Sequence, residues 1–294
     1  MPEDPTTGYY FTQKLYHDTY PLIDSANCHL EGRYVFITGG SRGIGAEIVL
    51  SFARAGASGI AFGSRTPPSA ATLAAIEAAA SANGRAVPRV LSLHMDVTQA
   101  ASVEAAAARV AAEFPCVDVL VNNAGEMEDA RALADADVDV WMRVLDVNVK
   151  GTFLATHYFL PLVRRSVLRT VVNVNSLASQ MVTPGRSAYQ VSKLAQLRLT
   201  EFVVADHGDA DGVLAWAVHP GGVRTELGMR LPKERHAALT EEPRLCADTV
   251  VWLVQQRREW LAGRYVMAQW DMEELMAREE EIVKGDKLKV RIRL

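Results

Sequence analysis

The 294-residue sequence predicts an α/β fold: a doubly wound, mostly parallel sheet of seven strands with helices on both faces. Three observations carry that reading. From Arg33 onward, short β-branched runs alternate with longer alanine-rich stretches, and such alternation gives right-handed crossovers and a parallel sheet. The apolar strand runs are short and lack alternation, as expected where helices cover both sheet faces. No composition break, long linker or internal repeat divides the chain, so residues 31–270 read as one domain, with an arm over 1–30 and an extension over 271–294.

The elements follow in order. YVFIT is the first strand and GIGAEIVLSFARAG the first helix; GIAFGS is the second strand, and PSAATLAAIEAAASAN a helix with Ser69 near its start. VLSLHM, TQAASVEAAAARVAAEF and VDVLVN continue as strand, helix and strand, and a long helical region runs from about Asp137 to Arg164. TVVNVNS is the next strand, followed by a helix through YQVSKLAQLRLTEFVVAD, a strand at VLAWAV, a helix at ADTVVWLVQQ and a last strand at GRYVMA. In the arm, Tyr9, Tyr10, Phe11, Tyr16 and Tyr20 stand among polar residues and prolines. Aromatics so dense are unusual for a disordered tail, so the arm is expected to pack on the domain or on a partner subunit. The charged C-terminal stretch reads as a helix and an extended tail covering the pocket or a neighbouring subunit.

Composition narrows the function. Hydrophobic residues make up 49% and charged residues 22%, a globular balance, and the formal net charge of -4 argues against nucleic acid or anionic lipid as partner. Cys28, Cys116 and Cys246 are odd in number and far apart, which fits free thiols in a reducing compartment better than disulfides or a zinc site. The opening MPEDPTTGYYFTQK lacks the basic start and apolar run of a signal peptide. No stretch approaches the roughly 20 apolar residues of a membrane span, and a cytoplasmic protein is expected. The histidines show no metal-ligand spacing, and Gly-x-Ser-x-Gly is absent.

The first strand ends in Thr38-Gly39-Gly40-Ser41-Arg42-Gly43-Ile44-Gly45, where a helix begins. Glycine lets a backbone turn tightly against a pyrophosphate, and a helix N-terminus offers unpaired N–H groups and a positive dipole end. A glycine-rich strand-to-helix turn without a ligand is the alternative, weakened by its place after the first strand of a βαβ unit.

This segment resembles the TGxxxGxG motif of the short-chain dehydrogenase/reductase family. Asn122-Asn123-Ala124-Gly125, Asn148, Ser176, Tyr189-x-x-x-Lys193 and Pro220-Gly221 follow in the family's order, and the resemblance covers about residues 33–268. It implies a Rossmann-type catalytic domain, a nicotinamide cofactor and a small-molecule carbonyl or alcohol substrate. The flanks are similar to a fungal branch of the family, linked to secondary metabolism, with a "YP" segment before the first strand and a "WD" after the last.

In Rossmann domains the end of the second strand reads the adenosine ribose: a carboxylate suits a 2′-hydroxyl and an arginine a 2′-phosphate. Here the strand ends in Ser64-Arg65 with no acid beside it, and Arg42 lies where NADP-preferring relatives often carry a second basic residue. NADP(H) is therefore expected, with NAD(H) as the weaker candidate. Asp96, followed by Val97, resembles the family's adenine contact, and a helix N-cap is its other reading. Asn122 looks like a sheet brace, while Asn123, Ala124 and Gly125 would face the cofactor. Ser41, Gly43 and Ile44 belong to the phosphate turn.

Tyr189 and Lys193, four apart on a helix, share one face. An ammonium beside a phenol favours the phenolate, which makes Tyr189 a plausible acid or base. By resemblance, Lys193 also binds the nicotinamide ribose and Ser176 steadies the carbonyl. Asn148 would be the fourth catalytic member, its carbonyl in a kinked helix holding a water. Asn175 and His219, a departure from the Asn of many relatives, read as structural. After Pro220-Gly221, Val223 and Thr225 would hold the carboxamide and orient the ring.

Residues 226–243 occupy the family's variable lid, where Leu227, Met229, Leu231 and Leu239 would face an apolar substrate or simply pack. Arg230, Lys233 and Arg235 read as a solvated face, and Met181, Val182 and Pro184 as pocket wall. The sequence thus points to an NADPH-dependent oxidoreductase of a hydrophobic or polyketide-like ketone. The alternatives are a non-redox or cofactor-binding protein on the same scaffold, and an imine or enoyl reductase. A homo-oligomer, dimer or tetramer, is expected through helices near 137–165 and 186–205.

Overall fold

The apolar runs become the strands of one parallel sheet, which a computed structural model describes together with the rest of residues 7–292. Residues 1–6 of the arm and 293–294 lie outside the described residues. The strands are β1 (Tyr34–Thr38), β2 (Gly59–Ser64), β3 (Arg89–His94), β4 (Val119–Asn122), β5 (Thr170–Val174), β6 (Leu214–His219) and β7 (Tyr265–Met267). They lie side by side in the order β3-β2-β1-β4-β5-β6-β7, every pair parallel. The direction of winding reverses between β1 and β4, and open sheets of this kind bind ligands beyond the strand ends at such a point.

Helices α1 (Gly43–Arg54), α2 (Ala70–Ser81) and α7 (Pro243–Val254) cover one face, and α3 (Ala100–Glu113), α5 (Gly151–Arg164) and α6 (Ser187–Asp211) the other. Their limits follow from local chemistry. The Ser69 hydroxyl accepts the Thr72 N–H at 3.1 Å and starts α2. Gly212 takes φ +66° and stops α6. Pro243 at the first turn of α7 starts that helix earlier than its apolar run suggests.

The helical region expected from Asp137 to Arg164 is present but interrupted. Asp137 caps α4 (Val138–Leu145), and a π turn over Asp146–Lys150 joins α4 to α5. Single π turns inside α-helices are rare and frequent at functional sites. Here the turn carries Asn148. The third strand also departs from expectation: β3 is an edge strand, partly exposed rather than covered on both faces.

The arm packs on its own domain, against α1, α7 and the segment after β7. Leu15 bridges Trp270, the Trp270 indole N–H donates to Tyr9 O at 3.1 Å, and Tyr16 stacks on Tyr20. Thr19 donates at 2.7 Å to Asp248, a buried carboxylate of α7 that also accepts from Ser51 and Arg244. At the other end, α8 (Met272–Ala277) and α9 (Glu279–Lys284) lead to a tail in which Leu288 O accepts the Tyr265 N–H at 2.8 Å. The tail therefore covers its own edge strand β7, not the pocket, which was one of the two places expected from the sequence, the other being a neighbouring subunit. An edge strand needs partners for its backbone groups, and the tail supplies one.

Candidate active site

The site begins at the turn after β1. Gly39 and Gly43 take φ +70° and +58°, which favours glycine. A Cβ on Gly45 would lie 2.2 Å from Gly39 O, so the helix can approach the turn this closely only without a side chain. Asn123 secures the arrangement: its amide donates to Thr38 O and Gly39 O at 3.0 and 3.2 Å, and Thr38 Oγ1 accepts from Asn123 N and Ala124 N at 3.0 Å. Arg42, the residue before α1, makes no side-chain cap, so the first N–H groups of that helix gain no partner from it.

A cavity of about 720 Å³ opens beside this turn, within the range of cofactor pockets. It is lined by Gly39, Ser41, Arg42, Gly43, Ile44 and Gly45 of the turn, by Ser64, Arg65, Asp96 and Val97, and by Asn123, Ala124 and Gly125. Tyr189, Lys193, Pro220 and Thr225 complete the far side. Residues expected from scattered stretches of the chain thus share one cleft. The glycine cradle, the free helix end and an exposed Arg65 without an ion-pair partner among the described residues fit a dinucleotide phosphate group.

Two expectations at the ribose end need correction. Arg42 does not stand free beside Arg65: it is ion-paired with Glu226 from the opposite wall, so an acid does stand at this end. The sequence concealed the pair because the two residues lie far apart in the chain. Asp96 is not the N-cap of α3, a place taken by Gln99. Its Oδ1 instead accepts Thr98 N and Oγ1 at 2.9 and 2.8 Å while it lines the cavity.

At the chemical end, Lys193 Nζ lies 5.8 Å from the Tyr189 ring centre. It donates to Val174 O at 2.8 Å and to Gln196 Oε1 at 3.2 Å. Burial lowers the Lys193 pKa to about 7. The Tyr189 phenol is pushed upward, chiefly by desolvation and further by Glu128, against lowering by a hydrogen bond with Ser176 and by Arg186. The expected lowering by the ammonium is thus not found: Lys193 is not among the groups that act on the phenol, and desolvation sets the direction. Ser176 also holds its own loop, its Oγ accepting Ala178 N at 3.1 Å.

Asn148 is buried behind the cavity, not in its wall. Its Oδ1 accepts Glu126 N at 2.8 Å, and its Nδ2 donates to Glu126 O and Ser192 Oγ at 2.9 Å. The Thr152 hydroxyl donates to Asn148 O at 2.8 Å. The π turn, the loop after β4 and α6 are thereby tied at one point. Gly221 and Val223 also stand outside the cavity lining, the former packed against Glu241 at φ +94° and the latter buried.

The residues read as structural make buried hydrogen bonds, and Asn175 lines the cavity as well. Asn122 donates to Thr156 and Asn173, bracing α5 and β5. Asn175 donates to Lys193 O and Gln196 Oε1. His219 Nδ1 accepts the Leu177 N–H at 3.1 Å, and burial lowers its pKa to about 3.

The substrate side differs most from expectation. Met181, Val182 and Pro184 do not line the cavity, and Val182 projects fully into solvent because its loop turns outward there. Of the lid leucines, Leu227 reaches the cavity while Leu239 is buried; Met229 faces outward. Arg230 is exposed as expected but not free: it donates to Glu126 Oε1 at 2.5 Å and Met127 O at 2.6 Å, pinning the lid across the cleft. Glu126, Arg143, Glu226 and Glu128 were not foreseen, since each gains meaning only from a contact remote in sequence. Gln196 had a signal: it lies three residues past Lys193, on the same buried face of α6.

Comparison with known proteins places the geometry. Residues 33–236 match the sequence model described as short chain dehydrogenase. The short chain dehydrogenase citE of Monascus ruber is 49% identical over 288 residues, covering 98% of each chain. The short chain dehydrogenase pigC of the same organism is 43% identical over 286 residues, covering 96% of this chain and 94% of that one. A solved short-chain dehydrogenase/reductase from Serratia marcescens superposes with a TM-score of 0.70 at 27% identity, covering 81% of this chain and 96% of its own.

Proposed function

Because this chain belongs to the short-chain dehydrogenase family, we propose that it is an NADPH-preferring oxidoreductase interconverting a ketone and a secondary alcohol. The observation that carries the proposal is Tyr189 and Lys193 at the chemical end of a cavity whose other end is a glycine cradle with two arginines, with Ser176 outside the lining but hydrogen-bonded to Tyr189. When bound, the nicotinamide ring supplies or accepts the hydride. Its pyrophosphate would rest on the turn of Gly39 to Gly45, its 2′-phosphate between Arg42 and Arg65, and its adenine near Asp96 and Val97. Ser64, Asn123, Ala124 and Gly125 line the path between, and Pro220 and Thr225 line the wall above the ring, with Gly221 and Val223 behind them in the turn that places both.

Tyr189 holds the transferable proton. Its raised pKa keeps the phenol protonated at neutral pH, which suits a donor to the oxygen of a ketone being reduced. Ser176 holds that oxygen against the phenol. Lys193 carries a proton it can lose near neutrality and so can restore the phenol, with Asn148 fixing the helix turn behind it. Leu227 gives the substrate side an apolar contact, in line with a hydrophobic, polyketide-like ketone from secondary metabolism.

Half-exposed Phe153 on α5 and Phe202 on α6 support a homo-oligomer through these helices. The free thiols of Cys28, Cys116 and Cys246 agree with a cytoplasmic setting. No helix among the described residues is long and apolar enough to cross a membrane.

The test combines binding and turnover. Tyr189→Phe should keep NADPH affinity, read by fluorescence, while ketone reduction falls by roughly 10²-fold or more. Undiminished turnover in that variant across a ketone panel would end the proposal.

A further inference from the structure

We infer that Glu226 sets how strongly the protein discriminates NADPH from NADH, by holding Arg42 until a 2′-phosphate takes it. The inference rests on the cofactor reading above.

Arg42 lies in the turn after β1 and Glu226 in the segment after β6, with β4 and β5 between those strands. Their ion pair therefore spans the mouth of the cavity, which both residues line. The walls also touch beside it, where a Cβ on Gly43 would lie 3.3 Å from Thr225 Cγ2. Each partner of the pair makes its only side-chain contact of this kind with the other, among the described residues. Both side chains are about two-thirds exposed, at 67% and 68%. The pair can exchange partners without unpacking anything.

The charges make that exchange selective. Arg65 stands ready for a phosphate, whereas Arg42 is neutralised by Glu226. A phosphate monoester carries close to two negative charges near neutral pH and can take an arginine in a bidentate way. It therefore displaces a single carboxylate, but each NADPH bound must break one ion pair. NADH, with a 2′-hydroxyl, has no demand on Arg42 and leaves the pair intact. Glu226 thus narrows the preference that Arg42 and Arg65 create. The exchange also reaches the lid. Glu226 sits inside the turn where Gly228 N donates to Thr225 Oγ1, and Arg230 of the same lid pairs with Glu126. Losing the Arg42 contact leaves Arg230 as the lid's ionic tie to the opposite wall.

The measurement is the affinity of full-length protein for NADPH and for NADH, by fluorescence titration at two ionic strengths. Glu226→Gln, close in shape and uncharged, should tighten NADPH by about two- to five-fold, the worth of an exposed ion pair. NADH affinity should stay unchanged, and the gain should shrink at high salt. In an Arg42→Ala background the Glu226 substitution should have no effect on either cofactor. Equal tightening of both cofactors, no change in either, or a gain that survives Arg42→Ala overturns the inference while leaving the NADPH reading intact. Equal affinity of the unmodified protein for NADH and NADPH defeats the cofactor reading itself.

Discussion

The Glu128 carboxylate accepts the backbone N–H of Tyr189 with both oxygens, at 3.2 and 3.0 Å. Arg186 provides no side-chain cap for α6, so this acid from the loop after β4 satisfies a donor at the helix start. Arg186 meanwhile donates to Glu128 O at 2.5 Å and to Arg230 O at 3.1 Å, linking the same point to the lid. Glu128→Ala should lower stability by about 1 kcal/mol, the usual worth of a cap, and reduce kcat/KM. Glu128→Gln keeps an acceptor and should recover most of the stability. Denaturant unfolding alongside kinetics decides it; equal losses in both variants would mean that the charge, not the cap, matters.

Asn148 should prove indispensable to folding as well as turnover. Its three side-chain hydrogen bonds are made in full burial, so Asn148→Ala leaves the Glu126 N–H and C=O without this partner, while the Ser192 hydroxyl keeps only its bond to Tyr189 O. The expected destabilisation is about 1–3 kcal/mol. Thermal unfolding measures it, and a variant with unchanged Tm would show that the π turn is held by other contacts.

His219 gives the fold an acid-sensitive point. Its pKa in the folded chain is lowered to about 3 by burial, below the ordinary 6.5. Between those values the unfolded chain binds a proton that the folded chain refuses, so stability falls as pH drops from 6.5 toward 3. His219→Asn keeps an acceptor for Leu177 N–H and lacks the titration. Its Tm should decline less over that interval than the parent's; parallel declines would remove His219 from the account.

The two reaction directions should respond oppositely to pH. Reduction needs the protonated phenol, which the raised Tyr189 pKa preserves through neutrality. Oxidation needs it deprotonated, so its kcat/KM should climb as pH rises, while reduction eventually falls. Lys193, with a pKa near 7, should add an inflection there that Lys193→Met abolishes. Oxidation that slows between neutral and alkaline pH would contradict this assignment.

How much of this was written in the sequence differs from part to part. The sheet was legible because β1, β4, β5 and β6 are continuous apolar runs buried on both faces. The glycine turn and the Tyr189–Lys193 face were legible because each depends on residues close in the chain. The Arg42–Glu226 and Arg230–Glu126 pairs were not, since they join distant segments and nothing in local spacing marks them. The direction of the Tyr189 shift was misjudged for a related reason. Spacing shows that an ammonium is near, but not how much water the fold removes from the phenol. Val182 was misplaced because an apolar residue on the loop between Ser176 and Tyr189 looks like lining until its full exposure is seen.

The seat of the N-terminal arm is built from residues translated near the end of the chain. Trp270 binds Tyr9 across a separation of 261 residues, and Glu274 accepts the Gln13 N–H. Until this region has left the ribosome, the arm can meet α1 and α7 but Tyr9 and Phe11 lack the Trp270 part of their seat. Closing so long a loop adds little to the equilibrium cost, which grows only logarithmically, but it leaves sticky rings unshielded during synthesis. Chains that terminate before Trp270 would keep that exposure permanently, and aggregation is their expected fate.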